Sequence, residues 1–300
     1  MKEAKPVFKR ENLLYEREEK EGYWTLTSKI HPEVRELIIN PTARKILELA
    51  DGSRTMDEIE LDFVNKYPEV PKEKIKTDIF RTLGSFTRLG IVEWEGDNPF
   101  LYKYEESLTD GYSLSVAQED SLREIESFIK STEDFIKSMK DHFTIQEEMV
   151  FYKNPLIMQS EYSELVLRQK LFAFSEEFFL LRKDSEIKGI ISISLPAHPK
   201  EFGATIKLVI CPEKFLNDLF EYSRDYLPYL AVRDISKIEF YETNSEPITD
   251  NFKHFLFEKG FKEEASLQDE LGFGKNLKIY SLGYTQDFVE KAKEQRKKFV

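Results

Sequence analysis

The chain has 300 residues, a net charge of −12, 40% hydrophobic residues and 33% charged ones. That length suits two domains of ordinary size. The composition excludes a disordered chain, and the acidity tells against a general nucleic-acid binder, which wants a basic face. The one cysteine, Cys211, cannot form a disulfide within the chain and points to a reducing compartment. The opening residues lack the apolar core of a signal peptide, and no run approaches the ~20 apolar residues of a membrane span. The expectation is a soluble, cytoplasmic protein with no nucleic-acid or membrane partner.

In chain order, short strands come first. Val7 to Asn12, Gly22 to Thr27 (rich in aromatic and β-branched residues) and Glu36 to Ile39 are the candidates. Asn40 before Pro41 is an N-cap followed by a first-turn proline. Three helices follow. Thr42 to Ala50 ends at Asp51-Gly52; Thr55-Met56-Asp57-Glu58 has the form of a capping box; Pro71 and Lys72 open a longer helix with Ile75, Ile79, Phe80, Leu83, Phe86 and Leu89 as its spine. Ile91 to Trp94 is a short strand, and Glu95 to Pro99 clusters turn formers as a linker. Strands, three helices and a strand make a winged-helix pattern. It predicts a first domain over 1–97, a second over 98–285 and a charged tail over 286–300.

The second domain opens with the alternating strand Tyr112 to Val116 and a helix through about Lys140. Residues 143–168 are expected to be irregular and helical. Strands Phe178 to Arg182, Gly189 to Leu195 and Ala204 to Cys211 follow, then a helix Phe215 to Leu230, a strand Lys237 to Tyr241 and a helix Asp250 to Lys259 stopped by Gly260. A final strand pair spans Phe261 to Gln268 and Leu277 to Leu282. The fold class is α+β: a winged-helix domain followed by a mixed α/β domain.

The run Leu37-Ile38-Ile39-Asn40-Pro41-Thr42-Ala43-Arg44-Lys45-Ile46-Leu47, with Asp51-Gly52-Ser53-Arg54-Thr55 after it, resembles the PqqD-like family, also called RiPP recognition elements. The resemblance covers about residues 7–96, and Leu83 to Val92 matches that family's ending approximately. It implies a domain that binds the leader segment of a ribosomally made precursor peptide and works beside other biosynthetic enzymes. Leu37, Ile38 and Ile39 are then an edge strand whose unpaired backbone accepts a peptide as a further strand. Lys74, Asp78, Arg81, Thr82 and Ser85 on the third helix are candidates for reading leader side chains. Core packing of Leu37 and Ile39, and a solvated polar face on the helix, are the competing readings. A DNA-binding winged helix, coupled to a ligand-sensing second domain, is a further alternative. Lys72, Lys74, Lys76, Arg81 and Arg88 favour it, but Glu73 and Asp78 dilute them, and residues 1–97 carry 17 Lys and Arg against 20 Asp and Glu.

Ser113 to Phe128, Phe179 to Leu195 and Phe255 to Asp269 resemble, in order and spacing, segments of the GNAT acyltransferases. This resemblance covers about 103–285 and implies acyl-coenzyme A as cofactor and acyl transfer to the captured peptide. The coenzyme would lie at the end of the fourth strand and the start of the third helix, at Val209, Ile210, Lys214 and Phe215. Backbone N–H groups at Val209 and Ile210 would polarise the thioester. The sequence departs from the family there. Cys211-Pro212-Glu213-Lys214 has no glycine to let backbone N–H groups close on a pyrophosphate, and Glu213 would repel one. Leu256 and Phe257 stand near the place of the family's proton-donating tyrosine; Tyr222, Tyr226 and Tyr229 are substitutes, and Glu201 and Asp218 are guesses for a base. Two readings stand: acylation of the peptide, or a non-catalytic recruiting protein that kept the fold.

Other groups weigh less. His31, His142, His198 and His254 lack zinc-ligand spacing, and no metal site is expected. Cys211 is expected to be a small buried residue rather than a nucleophile. Glu147-Glu148, Glu176-Glu177 and Glu263-Glu264 suit a solvated acidic face. The stretch Phe128 to Phe143 suits core packing, and the basic tail Lys291 to Lys298 suits solvent.

Overall fold

The computed structural model describes residues 4–30, 37–100, 105–118, 121–139, 149–157, 161–196, 201–230, 235–244 and 250–298. His31, His142, His198 and the pair Glu147-Glu148 lie outside them, as do the side chains of Phe135, Ile136 and Met139. The chain forms two units, the first built mainly of Met1–Tyr102 and the second of Lys103–Leu171 and Ser175–Gln295.

The first unit runs β1 (Lys5–Phe8), β2 (Leu13–Glu18), β3 (Trp24–Ser28), β4 (Leu37–Ile39), α1 (Pro41–Leu49), α2 (Met56–Lys66), α3 (Lys72–Arg88) and β5 (Val92–Glu95). β2, β3 and β4 form an antiparallel sheet in that order, while β1 pairs with β5. The first strand, expected over Val7 to Asn12, ends at Phe8, and β2 is a further strand that the sequence does not announce. Its residues Leu14 to Glu18 are all exposed, so it shows no apolar alternation to betray it. The helix starts are as predicted. Asn40 Oδ1 accepts the Ala43 N–H at 2.8 Å, ahead of Pro41. Thr55 and Glu58 satisfy each other's backbone N–H groups, at 3.3 and 2.8 Å, in a complete capping box. The core gathers Leu26, Ile46, Leu47, Ile59, Ile79, Leu83 and Ile91, all nearly or wholly inaccessible. Each such side chain stabilises the unit by about 1.5–3 kcal/mol.

The second unit continues β6 (Glu105–Ser107), β7 (Tyr112–Val116), α4 (Leu122–Met139), β8 (Met149–Lys153), α5 (Glu164–Phe172), β9 (Glu176–Lys183), β10 (Glu186–Ser194), β11 (Gly203–Pro212), α6 (Glu213–Leu230), β12 (Lys237–Thr243), α7 (Asp250–Glu258), β13 (Lys262–Leu267), β14 (Leu277–Gly283) and α8 (Gln286–Lys298). One sheet has the order β13-β14-β12-β11-β10-β9-β7-β6, with β8 added beside β11. Its only parallel ladder among the described residues is β11 with β12. The unit is thus mixed α/β, as expected. Helices cover both faces. Ile125 and Ile129 of α4, with Leu167 and Leu171 of α5, pack on Phe178, Leu180, Ile190, Leu208 and Ile210. On the other face Tyr222 of α6 meets Phe179 edge to face, and Phe220 meets Phe255 of α7. Burial on both faces explains why β9 reads Phe178-Phe179-Leu180-Leu181 with no alternation. The β9–β10 turn places both Asp184 and Ser185 at positive φ, the geometry of a two-residue hairpin whose twist matches its strands.

Two expectations change here, and the tail, for which the sequence allows a charged helix or a frayed end, takes one of those forms. Residues 143–168 contain the strand β8 before the helix α5. The short exposed strand β6 was not foreseen. The tail forms α8, whose Phe288 stacks on Tyr284 at 5.4 Å and lies 6.4 Å from Tyr229, with Ala292 buried.

Candidate functional site

In the first unit the candidate site is the outer edge of β4. Among the described residues β4 has one strand partner, β3, in the register Trp24–Ile39, Thr25–Ile38 and Leu26–Leu37. Side chains alternate across a strand. Ile39 is buried and Leu37 half-buried on the face shared with Trp24 and Leu26, as the core-packing reading had it. Ile38, on the opposite face, is 71% exposed. On α3, Lys74, Asp78, Arg81, Thr82 and Ser85 recur at the three- and four-residue spacings of one helical face, flanking the buried Ile75, Ile79, Leu83 and Phe86. Lys74 and Asp78 are exposed, and Arg81, Thr82 and Ser85 are half-buried. The sheet is tied to this helix at its C-terminal end. Ser28 Oγ donates to the Leu89 carbonyl at 2.9 Å and Asn12 Nδ2 to that of Gly90 at 2.7 Å.

In the second unit the acyltransferase resemblance directs attention to β11 and α6. β11 and β12 run parallel and paired only from Gly203–Lys237 to Thr205–Glu239. Beyond that point the edge of β11 belongs to β8, in antiparallel register from Leu208–Lys153 to Pro212–Met149. At the fork, the buried Asn154 donates its backbone N–H to the Lys207 carbonyl at 2.8 Å and Nδ2 to that of Ile206 at 3.3 Å. The other wall is bridged by Tyr152. Its hydroxyl donates to the Tyr241 carbonyl at 2.9 Å and accepts the Tyr241 N–H at 3.1 Å. Its ring lies edge-on to Phe240 and beside Phe252. Burial pushes the Tyr152 phenol well above its ordinary range, which keeps it a neutral donor.

The residues expected to hold acyl-coenzyme A do not fit it. Val209 faces Ile191 on one edge and Tyr152 on the other; Ile210 likewise faces Ile190 and Phe151. Their backbone N–H groups therefore lie within ladders on both sides and are not offered to a thioester. β11 enters α6 directly at Glu213, with Pro212, which has no N–H, paired to Met149 where a glycine turn would close on phosphate. Lys214 and Phe215 are engaged with an aromatic ring instead. Phe215 lies 4.2 Å from the Tyr112 ring, and the Lys214 ammonium sits over both rings at 4.9 and 5.7 Å.

Tyr222, Tyr226 and Tyr229 form a ladder along α6 with ring distances of 4.5 and 6.3 Å, and the Tyr226 hydroxyl donates to Glu106 of β6 at 2.6 Å. Leu256 is fully buried, and Phe257 leans on Tyr280. Cys211 is fully buried; burial first, and the Asp218 charge second, push its thiol up and away from the reactive thiolate. Glu201 is exposed and Asp218 partly so. His254 is a surface residue 3.1 Å from Glu258. Among the described residues no group of three His, Cys, Asp or Glu could hold a metal ion, and no helix is long and apolar enough to cross a membrane.

The glutamate pairs divide. Glu263 and Glu264 are exposed and pair with Lys278 and Lys237, and the hydrogen bond from Lys237 holds Glu264 below its ordinary range. Glu176 and Glu177 are buried, against the expectation of a solvated face. Glu176 is matched by Lys170 at 2.5 Å and by the Tyr162 hydroxyl at 3.3 Å. Strand pairing alone could not reveal this, because Lys170 arrives from α5.

No family model matches the chain, and no curated protein matches it. Solved structures with likeness to it include ribosomal-protein-S5-alanine acetyltransferase from Vibrio fischeri, 12% identical, covering 61% of this chain and 98% of its own with a TM-score of 0.41. A mutant of spermidine N-acetyltransferase from Vibrio cholerae is 17% identical and covers 61% of this chain and 99% of its own, with a TM-score of 0.38. A GNAT-family acetyltransferase from Streptococcus pneumoniae is 14% identical and covers 58% and 99%, with a TM-score of 0.41.

Proposed function

We propose that this protein captures an extended peptide, of the kind that forms the leader of a ribosomally made precursor, by adding it as a strand to the outer edge of β4. The observation that carries this reading is the edge itself, which has one strand partner among the described residues and an Ile38 side chain standing 71% exposed beside it. Backbone groups along such an edge supply affinity without regard to sequence, and side chains beside it supply selectivity. The PqqD-like resemblance of this segment, within a winged-helix frame, gives the same reading. Lys74, Asp78, Arg81, Thr82 and Ser85 then form the polar wall that reads the peptide, and the mixed charge of this stripe suits a peptide better than a phosphate backbone. The second unit serves recruitment as a non-catalytic surface for other biosynthetic enzymes. Acyl transfer to the captured peptide is the second reading, favoured by the strand order of the sheet and by the effective concentration that tethering gives a catalyst.

Selection of a peptide-display library on the full chain tests this. Retained peptides should slow amide exchange at residues 37–39 and lose binding to an Ile38→Asp variant. Absence of any retained peptide, or retention indifferent to Ile38→Asp, would overturn it.

A further inference from the structure

We propose that β8 is a resident strand that permanently fills the fork between β11 and β12, so that the second unit cannot seat the extended arm of an acyl-coenzyme A along β11. This inference concerns the second unit alone; peptide capture at β4 can fail while it stands, and the reverse.

The argument is one of hydrogen-bond accounting. Two parallel strands that part company leave two rows of backbone donors and acceptors facing each other, and buried groups of that kind need partners. A bound cofactor with amide groups in an extended arm can supply them; so can another strand. Here the chain supplies its own. From Ile206 to Pro212 the β11 edge is met by Asn154 and then by β8, residue by residue. Across the gap, on the β12 side, the Tyr152 phenol meets both backbone groups of Tyr241 at once.

The filling strand is also packed. Phe151 joins the apolar cluster under α4 and α5, Lys153 pairs with Glu133 of α4 at 2.8 Å, and Tyr152 is buried among Phe240 and Phe252. β8 is thus packed on both faces and paired along one edge, with the Tyr152 hydroxyl reaching Tyr241 of β12 on the other side. A coenzyme arm would have to displace a paired strand anchored by the buried Tyr152 rather than enter a gap. At the phosphate end, Pro212 and Met149 close the place where a turn would open, and Lys214 lies against Tyr112 and Phe215.

The test uses the full wild-type chain with acetyl-coenzyme A and free coenzyme A as probes, in calorimetry and in amide exchange followed by mass spectrometry. The expected result is no saturable binding up to about 1 mM, with residues 149–153 and 206–212 exchanging as slowly as the central strand β10 whether or not either probe is present. Micromolar binding accompanied by faster exchange at 149–153 would overturn the proposal, because the strand would then be yielding to the coenzyme. Rapid exchange at 149–153 in the free protein would overturn it too, because a resident strand must be protected.

Discussion

Two strand edges in this molecule carry the same backbone chemistry and meet opposite fates. The outer edge of β4 has no described strand beside it and holds an exposed isoleucine. The edge of β11 beyond Thr205 is met by a strand, an asparagine and a phenol, all buried or partly so. An unpaired edge at the surface is hydrated and available to another chain. An unpaired edge in the interior has no water to turn to and must be satisfied within the fold. Location, more than strand sequence, separates an edge that can act from an edge that must be filled.

The comparison can be attacked in order of effect. Tyr152→Ala removes a buried ring together with its bridge to Tyr241, and should destabilise the protein by about 3–5 kcal/mol in chemical denaturation. A loss near zero would mean that β8 is not part of the folded core. Tyr152→Phe keeps the ring and deletes only the hydroxyl, leaving the Tyr241 N–H and carbonyl without it; the expected loss is about 1–3 kcal/mol. Ile38→Asp touches the open edge. It should leave stability within about 0.5 kcal/mol, as surface changes do, yet weaken peptide binding at least about tenfold, because burying that side chain against a peptide contributes more than 1.4 kcal/mol.

The smallest expected effect is one of pH. The Tyr152 phenol is raised in the folded state, so its contribution is fully present below the ordinary tyrosine value near 10 and is lost only as pH rises through the higher folded value. The stability difference between wild type and Tyr152→Phe should therefore be flat from about pH 6 to pH 9. A difference that shrinks within that window would show a phenol already titrating, and so a fork open to solvent.

The first unit was largely legible in sequence because its signals are local. Asn40-Pro41 and the Thr55–Glu58 box announce helix starts through groups a few residues apart, and the stripe from Ile75 to Phe86 announces a buried face. β2 escaped because an exposed strand of Leu13-Leu14-Tyr15-Glu16-Arg17-Glu18 has no apolar period. In the second unit the missing glycine turn was visible, and it raised a doubt about Val209, Ile210, Lys214 and Phe215. The strand β8 was hidden. Met149-Val150-Phe151-Tyr152-Lys153 is a short apolar run that suits helix or strand equally, and its partner β11 comes after two further strands. The partner of Glu176 was hidden for the same reason, since Lys170 belongs to a neighbouring helix and not to the strand pattern.

The position of β8 in the chain also orders events during folding. It is made before β9, β10 and β11, yet its one strand partner among the described residues is the last of these. Until that meander has assembled, β8 has nothing to add to, and the cost of closing so long a loop comes before any pairing offsets it. Closure of the fork is therefore expected late, after the hairpins have formed. Between those moments the outer edge of β11 is bare, as an unpaired edge from Leu208 to Cys211 open to any other chain. A surface wholly hidden in the finished protein is thus laid open to aggregation while it is being made.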